Sequence, residues 1–173
     1  GLLDRRLPAV PFTLRILGKL RGCLNLRQEA QAEFWAGLLL GFFLLLRASE
    51  FCTGALKWRD VTFFSGGVRV VVAFSKTSTV PTIVSAPERG GPLCLKAALL
   101  NLRAIRGARK CSAGKPVVSM SYKSFNAAIK TTFKIAFSAE PLGISSHSLR
   151  RGGASTMLAC GVPEAVIMQM GRW

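Results

Sequence analysis

One uninterrupted apolar run limits the folds open to this chain more than any other feature of its sequence. The run extends over 13 residues from Phe34 to Leu46, and the charged residues Glu33 and Arg47 flank it. A helix that spans a bilayer needs about 20 apolar residues, so this run is too short to cross a membrane. We predict instead a long helix from Gln28 to about Leu46 that is buried on most of its sides.

The rest of the sequence predicts an α+β, mainly helical domain. Val61 to Phe64, a turn at residues 65–67 and Val68 to Phe74 read as a β-hairpin, because β-branched and aromatic residues flank two glycines. Thr79 to Ser85 predicts a third strand, and Pro81 places it at an edge of the sheet. Further helices are expected over residues 13–22, 92–106, 121–137, 145–161 and 163–170. The whole chain, 1–173, is interpreted as one domain, with residues 1–12 as the remnant of an interdomain linker.

The charge of the chain is the second strong feature. It has 24 Lys and Arg against 8 Asp and Glu, a formal net charge of +16, and no acid lies between Glu88 and Glu140. Such a field attracts polyanions, and nucleic acid is the best candidate. An anionic membrane surface or an ordinary solvated basic face are the alternatives. Lys123, Lys130 and Lys134 share one side of the predicted 121–137 helix and are candidate DNA-binding residues.

Neither the cysteines nor the acids have the spacing of a metal site. The chain has five cysteines and no Cys-x-x-Cys pair, which favours buried thiols over a zinc site or a disulfide framework. The acids are dispersed, and only Glu29 and Glu33 lie close together in sequence. We therefore expect no metal and no cofactor.

His147 and Arg150 form a candidate anion site. Residues three apart share a face of a helix, so the only histidine and an arginine can converge on one phosphate, which suits their donors. The alternative is a histidine in a capping turn and an arginine at the surface. For Arg151 the sequence leaves two positions open, one facing the phosphate and one facing solvent. Gly152 and Gly153 follow, and two glycines inside a helix indicate close backbone packing.

Two further cations are conspicuous. Arg47 follows the apolar helix, and a desolvated guanidinium needs a partner, for which Glu50 is the obvious choice. A simple salt bridge at a helix end is the alternative interpretation. Lys76 lies at the turn between the second and third strands, where a solvated lysine would be equally ordinary.

Four segments together resemble the catalytic domain of tyrosine recombinases of the phage-integrase type. They are Leu46-Arg47-Ala48-Ser49-Glu50-Phe51, the hairpin lysine Lys76, His147-x-x-Arg150 and Gly171-Arg172-Trp173, in the family's order. The resemblance implies the helical fold of DNA breaking-rejoining enzymes with a small three-stranded antiparallel sheet. It also implies catalytic roles in holding the scissile phosphate for Arg47, His147, Arg150 and Trp173, an orienting role for Glu50, and a proton from Lys76 to the leaving 5′ oxygen.

The implied activity is site-specific DNA recombination or integration, as in mobile elements, through a 3′-phosphotyrosyl intermediate. The implied partner is double-stranded DNA, with self-association on DNA in the full-length parent, no membrane, and an intracellular location in the nucleus or nucleoid. The resemblance stops before the family's nucleophilic tyrosine, and Tyr122 matches no family motif, so the chain itself is not expected to cleave DNA. A non-catalytic DNA-binding relic and a type IB topoisomerase-like domain are the alternatives.

Overall fold

The computed structural model describes residues 10–73 and 79–173. Within these ranges the chain forms seven α-helices and one three-stranded antiparallel sheet, which confirms the predicted α+β class. The helices are α1 Leu14–Gly22, α2 Glu29–Phe43, α3 Ala48–Phe51, α4 Leu95–Arg106, α5 Tyr122–Phe137, α6 Ser146–Ala159 and α7 Glu164–Gly171. The strands are β1 Val61–Phe64, β2 Gly67–Val72 and β3 Thr82–Pro87.

Helix α2 carries the apolar run and lies at the centre of the core. Every residue from Ala32 to Phe43 is buried, and α2 packs against both α4 and α6. The predicted end at Leu46 is wrong by three residues, because Leu45 has a left-handed backbone with φ 54°. Residues 44–46 remain buried but turn away from the helix axis. This turn places Arg47 at the surface of the core. Among the described residues, no helix combines the length and apolar character needed to cross a bilayer.

The glycine pair of α6 explains how closely two backbones approach. A Cβ at Gly153 would overlap the carbonyl oxygen of Phe42 in α2, and one at Gly152 would overlap the carbonyl oxygen of Phe12. The expectation of close backbone packing is therefore confirmed. Residues 1–9 of the predicted linker lie outside the described residues, whereas Phe12 is buried and its amide donates to the carbonyl of Ser148 at 3.0 Å.

The sheet has the order β1-β2-β3, so β3 is an edge strand, as Pro81 predicted. Val70 at its centre pairs with Val61 and Val84, and the valine side chains at 68, 70 and 84 are buried. Strand β3 begins at Thr82 instead of Thr79, since Pro81 has no N–H to donate to the ladder. Lys76 lies outside the described residues.

The starts of two other helices, α1 and α5, lie where the sequence predicts them, whereas the start of α4 does not. Thr13 and Ser121 cap α1 and α5 with side-chain oxygens that accept backbone amides, at the first residue of each predicted range. Helix α4, however, begins at Leu95 and not at Pro92, because Cys94 has an extended backbone, with φ −117° and ψ 114°, and is the capping residue.

The expectation of buried thiols holds for only part of the cysteines. All five are free; Cys52, Cys94 and Cys111 are buried, but Cys23 and Cys160 are exposed. Both exposed thiols directly follow the last residue of a helix, α1 or α6, where the backbone leaves the core.

Candidate phosphate-binding site

Five side chains that lie far apart in the sequence line a single cavity of about 170 Å³. They are Arg47, His147, Arg150, Arg151 and Trp173. The turn after α2, the first half of α6 and the residues after α7 each contribute to it. All the predicted phosphate ligands within the described residues therefore meet at one place.

Arg150 is the most unusual group in this cavity. The residue is only 5% exposed, and its Nη2 donates to the carbonyl oxygen of Gly171. Its Nε and Nη1 atoms are also buried but have no hydrogen-bond partner among the described residues. Burial, the largest cause, and the neighbouring cations Arg47 and Arg172 together lower the pKa of Arg150 to about 10, against the opposing effect of Glu50. The guanidinium is still charged at neutral pH, so the site holds a desolvated cation with two unused N–H donors.

The start of α6 is fixed from two sides, which places His147 and Arg150. Ser145 and Ser148 form a capping box, in which the Ser145 amide donates to Ser148 Oγ at 3.1 Å. The amide of Ser146 donates to Asn126 Oδ1 on α5 at 2.9 Å. Because of these contacts the exposed imidazole of His147 and the buried guanidinium of Arg150 reach the same cavity from successive turns of α6.

The predicted pairing of Arg47 and Glu50 is present. The Arg47 amide donates to Glu50 Oε2 at 2.7 Å, and Arg47 Nη1 donates to Oε1 at 3.3 Å. The Glu50 side chain is buried, while that of Arg47 is 20% exposed. The carboxylate thus holds the base of the arginine side chain and leaves part of the guanidinium open to the cavity.

Arg172 is a member of this site that the sequence reasoning missed. Its Nη2 donates to Glu50 Oε2 at 2.5 Å and its Nε donates to Oε1 at 3.2 Å. Only Trp173 was selected from Gly171-Arg172-Trp173, because no local spacing rule pairs residues 122 positions apart. The only signal in the sequence was the charge count. With Glu50 as the single acid expected beside Arg47 and Arg150, a further buried arginine would have to share that carboxylate.

Trp173 covers Arg150 through a stacked contact. The Arg150 guanidinium carbon lies 4.4 Å from the centroid of the Trp173 ring, and the tryptophan is 55% exposed. A Cβ at Gly171 would overlap this ring. The glycine therefore makes room for the tryptophan to fold back over Arg150, while its carbonyl accepts from the same guanidinium.

The predicted DNA-binding lysines lie beside this site. Lys123 and Lys130 line a groove of about 790 Å³ between α5 and residues 141–145. Ser145, at the end of that segment, is the capping residue of α6, the helix that carries His147. Lys134 has a competing partner, because its Nζ lies 2.7 Å from Glu140 Oε1. Both members of that pair are more than half exposed, so water screens the pair.

No protein-family model matches this chain, and no curated protein matches it in sequence. Solved structures do match in fold. The post-cleavage complex of XerH site-specific recombinase with palindromic difH substrate has a TM-score of 0.65 at 13% identity, over 94% of this chain and 46% of that one. A FLP recombinase–Holliday junction complex has a TM-score of 0.62 at 15% identity, over 91% and 42%.

A Flpe W330F mutant in complex with a DNA Holliday junction gives a TM-score of 0.66 at 14% identity, over 92% of this chain and 43% of that one. The chain thus spans less than half the length of the recombinases it matches. At such low identity these structures are informative about the fold, and they show that this chain has the fold of the tyrosine recombinase catalytic domain.

Proposed function

We propose that this chain binds double-stranded DNA and holds one phosphodiester for strand transfer in site-specific recombination. The observation that carries the proposal is a pair of buried Arg150 nitrogens, Nε and Nη1, that have no hydrogen-bond partner in the part of the chain that the structure describes. A buried donor without a partner costs about 1–3 kcal/mol, so a fold that keeps two of them in a cationic cavity is suited to an anion that supplies the acceptors.

The cavity also suits the chemistry of phosphoryl transfer. Charge grows on the non-bridging oxygens in the transition state, and Arg47, Arg150 and His147 bring donors from fixed backbone positions. Preorganised donors of this kind are typically worth about 10²–10³ each in rate. The proposed general acid is Lys76, and the proposed intermediate is a 3′-phosphotyrosine.

The nucleophile in this proposal is not Tyr122. That side chain lines the groove of Lys123 and Lys130 and not the phosphate cavity. The proposed reaction therefore uses a tyrosine other than Tyr122, and self-association on DNA is part of the proposal. The position of Tyr122 outside the phosphate cavity also favours a second candidate function, a module that binds DNA phosphate without catalysis.

The duplex would lie along the lysine groove of α5 and reach the phosphate cavity at the start of α6. Lys123 and Lys130 are exposed there, and each phosphate contact releases counterions on binding. Arg151 adds a further exposed cation at the edge of the cavity. This surface supplies affinity, and Arg150 supplies the contact to the reacting group.

The proposal is tested with inorganic phosphate and orthovanadate, read by tryptophan fluorescence. Trp35 and Trp58 are buried, so an anion at the cavity acts on the signal of Trp173, and Trp173→Phe is the control for that assignment. We expect phosphate to bind the wild type and to lose its effect in Arg150→Met. Equal binding to both would contradict the proposal.

Vanadate separates the two candidate functions. It adopts the five-coordinate geometry of phosphoryl transfer, and analogues of a transition state bind at least about 10²-fold more tightly than substrates do. In the presence of a nicked duplex and free phenol, which takes the place of the attacking tyrosyl oxygen, vanadate should bind that much more tightly than phosphate if the site is catalytic. Similar affinities for the two anions would indicate the DNA-binding module.

A further inference from the structure

The carboxylate of Glu50 is shared by two arginines that come from distant segments. Each of its oxygens accepts one bond from Arg47 and one from Arg172, at distances between 2.5 and 3.3 Å. Glu50 and Arg172 side chains are each only 4% exposed. The acid that positions Arg47 therefore depends on Arg172 for half of its hydrogen bonds.

The backbone at Arg172 indicates that this side chain is needed for its contacts. The amides of Arg172 and Trp173 donate to the carbonyls of Gln169 and Met168 at 3.2 and 3.1 Å, which is the Schellman pattern at a helix end. Arg172 has the left-handed backbone of that motif, with φ 56°, where glycine is usual. An ordinary residue in this conformation costs about 1–2 kcal/mol, and the buried contacts of its guanidinium offset that cost.

The same guanidinium also braces the turn that carries Arg47. Its Nη2 lies 3.4 Å from the carbonyl oxygen of Leu45, and its Nη1 donates to that of Met170 at 2.6 Å. Leu45 is the other left-handed residue of the site. Arg172 thus links the turn before Arg47 to the turn that places Trp173 over Arg150.

We infer that Arg172 is a positioning residue for the phosphate site: it acts on the anion through Glu50 and Arg47, and through the placement of Trp173. The inference rests on the proposed function. This positioning role distinguishes Arg172 from Arg150, which reaches the anion directly. It also gives a function to Arg172 as the middle residue of Gly171-Arg172-Trp173.

A double-mutant cycle tests the inference, with the affinity for inorganic phosphate as the measurement. The variants are Arg172→Lys, Arg47→Lys and the double variant. Arg27→Lys is the matched control, because Arg27 is exposed and lies before the far end of α2, about 20 Å from the site by helix rise. Loss of a charge-assisted hydrogen bond weakens binding by about tenfold or more.

We expect each single variant to bind phosphate about tenfold more weakly, and the double variant to lose much less than the product of the two effects, because Arg172 acts on the anion largely through Arg47. In Arg172→Lys without phosphate, acrylamide should quench Trp173 more strongly than in the wild type. Arg27→Lys should match the wild type in both measurements.

Losses that multiply to about 100-fold in the double variant would overturn the inference, since they would show independent roles. Wild-type affinity in Arg172→Lys would overturn it as well. Arg172→Gln is measured in parallel, and failure of both variants to fold would assign Arg172 to the fold alone. If wild-type protein and Arg150→Met bind phosphate equally, the proposed function itself is wrong, which is a different result.

Discussion

Replacement of Arg150 by methionine should stabilise the protein while it abolishes phosphate binding. Methionine is long and unbranched and fills irregular space, and the change removes two buried donor nitrogens that have no partner within residues 10–73 and 79–173. At about 1–3 kcal/mol for each such group, this relieves about 2–6 kcal/mol. The pKa of Arg150 agrees with this direction: the folded state lowers it below its usual range, to about 10, so below pH 10 the fold carries the whole cost of the charged form.

The losses in Arg150→Met are smaller than this relief. They are one charge-assisted hydrogen bond to the Gly171 carbonyl, about 1.5–3 kcal/mol, and the contact with the exposed Trp173 ring, about 0.5–1 kcal/mol. The net expectation is a gain of about 1 kcal/mol in the free energy of unfolding. For a chain of this size that raises Tm by about 2–4 °C.

The measurement is thermal unfolding by circular dichroism, with and without phosphate. Phosphate at about 100 times its Kd adds about 2.7 kcal/mol to the wild type alone, so the order of the two Tm values should reverse when phosphate is added. A variant that is less stable than the wild type without phosphate would refute the reasoning, because it would show that Arg150 has partners in the empty site.

Arg106 provides the matched control, since it is a buried arginine with all its groups in use. Its side chain is 6% exposed, and it bonds Glu29 at 3.0 Å, Glu33 at 2.8 Å and the carbonyls of Pro116 and Val117. Arg106→Met leaves the buried Glu33 without its cation, which costs about 3–5 kcal/mol. The same substitution should therefore have opposite signs at the two positions.

Two further predictions concern packing and DNA affinity. Gly153→Ala should lower the free energy of unfolding, measured in urea, by about 2–3 kcal/mol, because overpacking costs about 1–3 kcal/mol and the new methyl group would meet the rigid backbone of Phe42. Gly18 has open space around it, so Gly18→Ala should raise the free energy of unfolding by about 0.4–1 kcal/mol. Lys123→Gln should reduce the slope of log Kd for duplex DNA against log salt by about 1, whereas Lys134→Gln should reduce it less, because Glu140 already pairs with Lys134.

Sequence reasoning predicted the elements and the clustering of the candidate site, and it failed where the backbone leaves regular geometry. Local rules reach Thr13, whose side chain caps its own helix, and the close approach at Gly153. They do not reach the left-handed turn at Leu45, because a leucine in that conformation carries no local signal. Helix α2 therefore ends three residues earlier than predicted.

Arg172 shows the second kind of limit. Its partners Glu50 and Leu45 lie more than 120 residues away, so only the tertiary fold brings them together. The sequence placed Glu50 with Arg47 correctly because that pair is three residues apart. A pattern that assigns one partner to each charge overlooks a carboxylate that serves two arginines.

The charge balance of the two buried arginine clusters explains why only one of them is a candidate reaction site. At Arg106, Glu29, Glu33 and two carbonyls bond every nitrogen of the guanidinium, and Glu29 also pairs with the exposed Lys110. Near the phosphate cavity, Arg47, Arg150 and Arg172 have one carboxylate between them, that of Glu50, which bonds Arg47 and Arg172, so these groups leave two positive charges in excess. A phosphodiester carries one negative charge, and a phosphoryl group under attack by an alkoxide or phenoxide carries two, so this excess matches the transition state better than the bound ground state. Interactions that strengthen only in the transition state raise the rate rather than the affinity, so an unsaturated Arg150 beside such an excess supports the proposed role of this cavity in strand transfer.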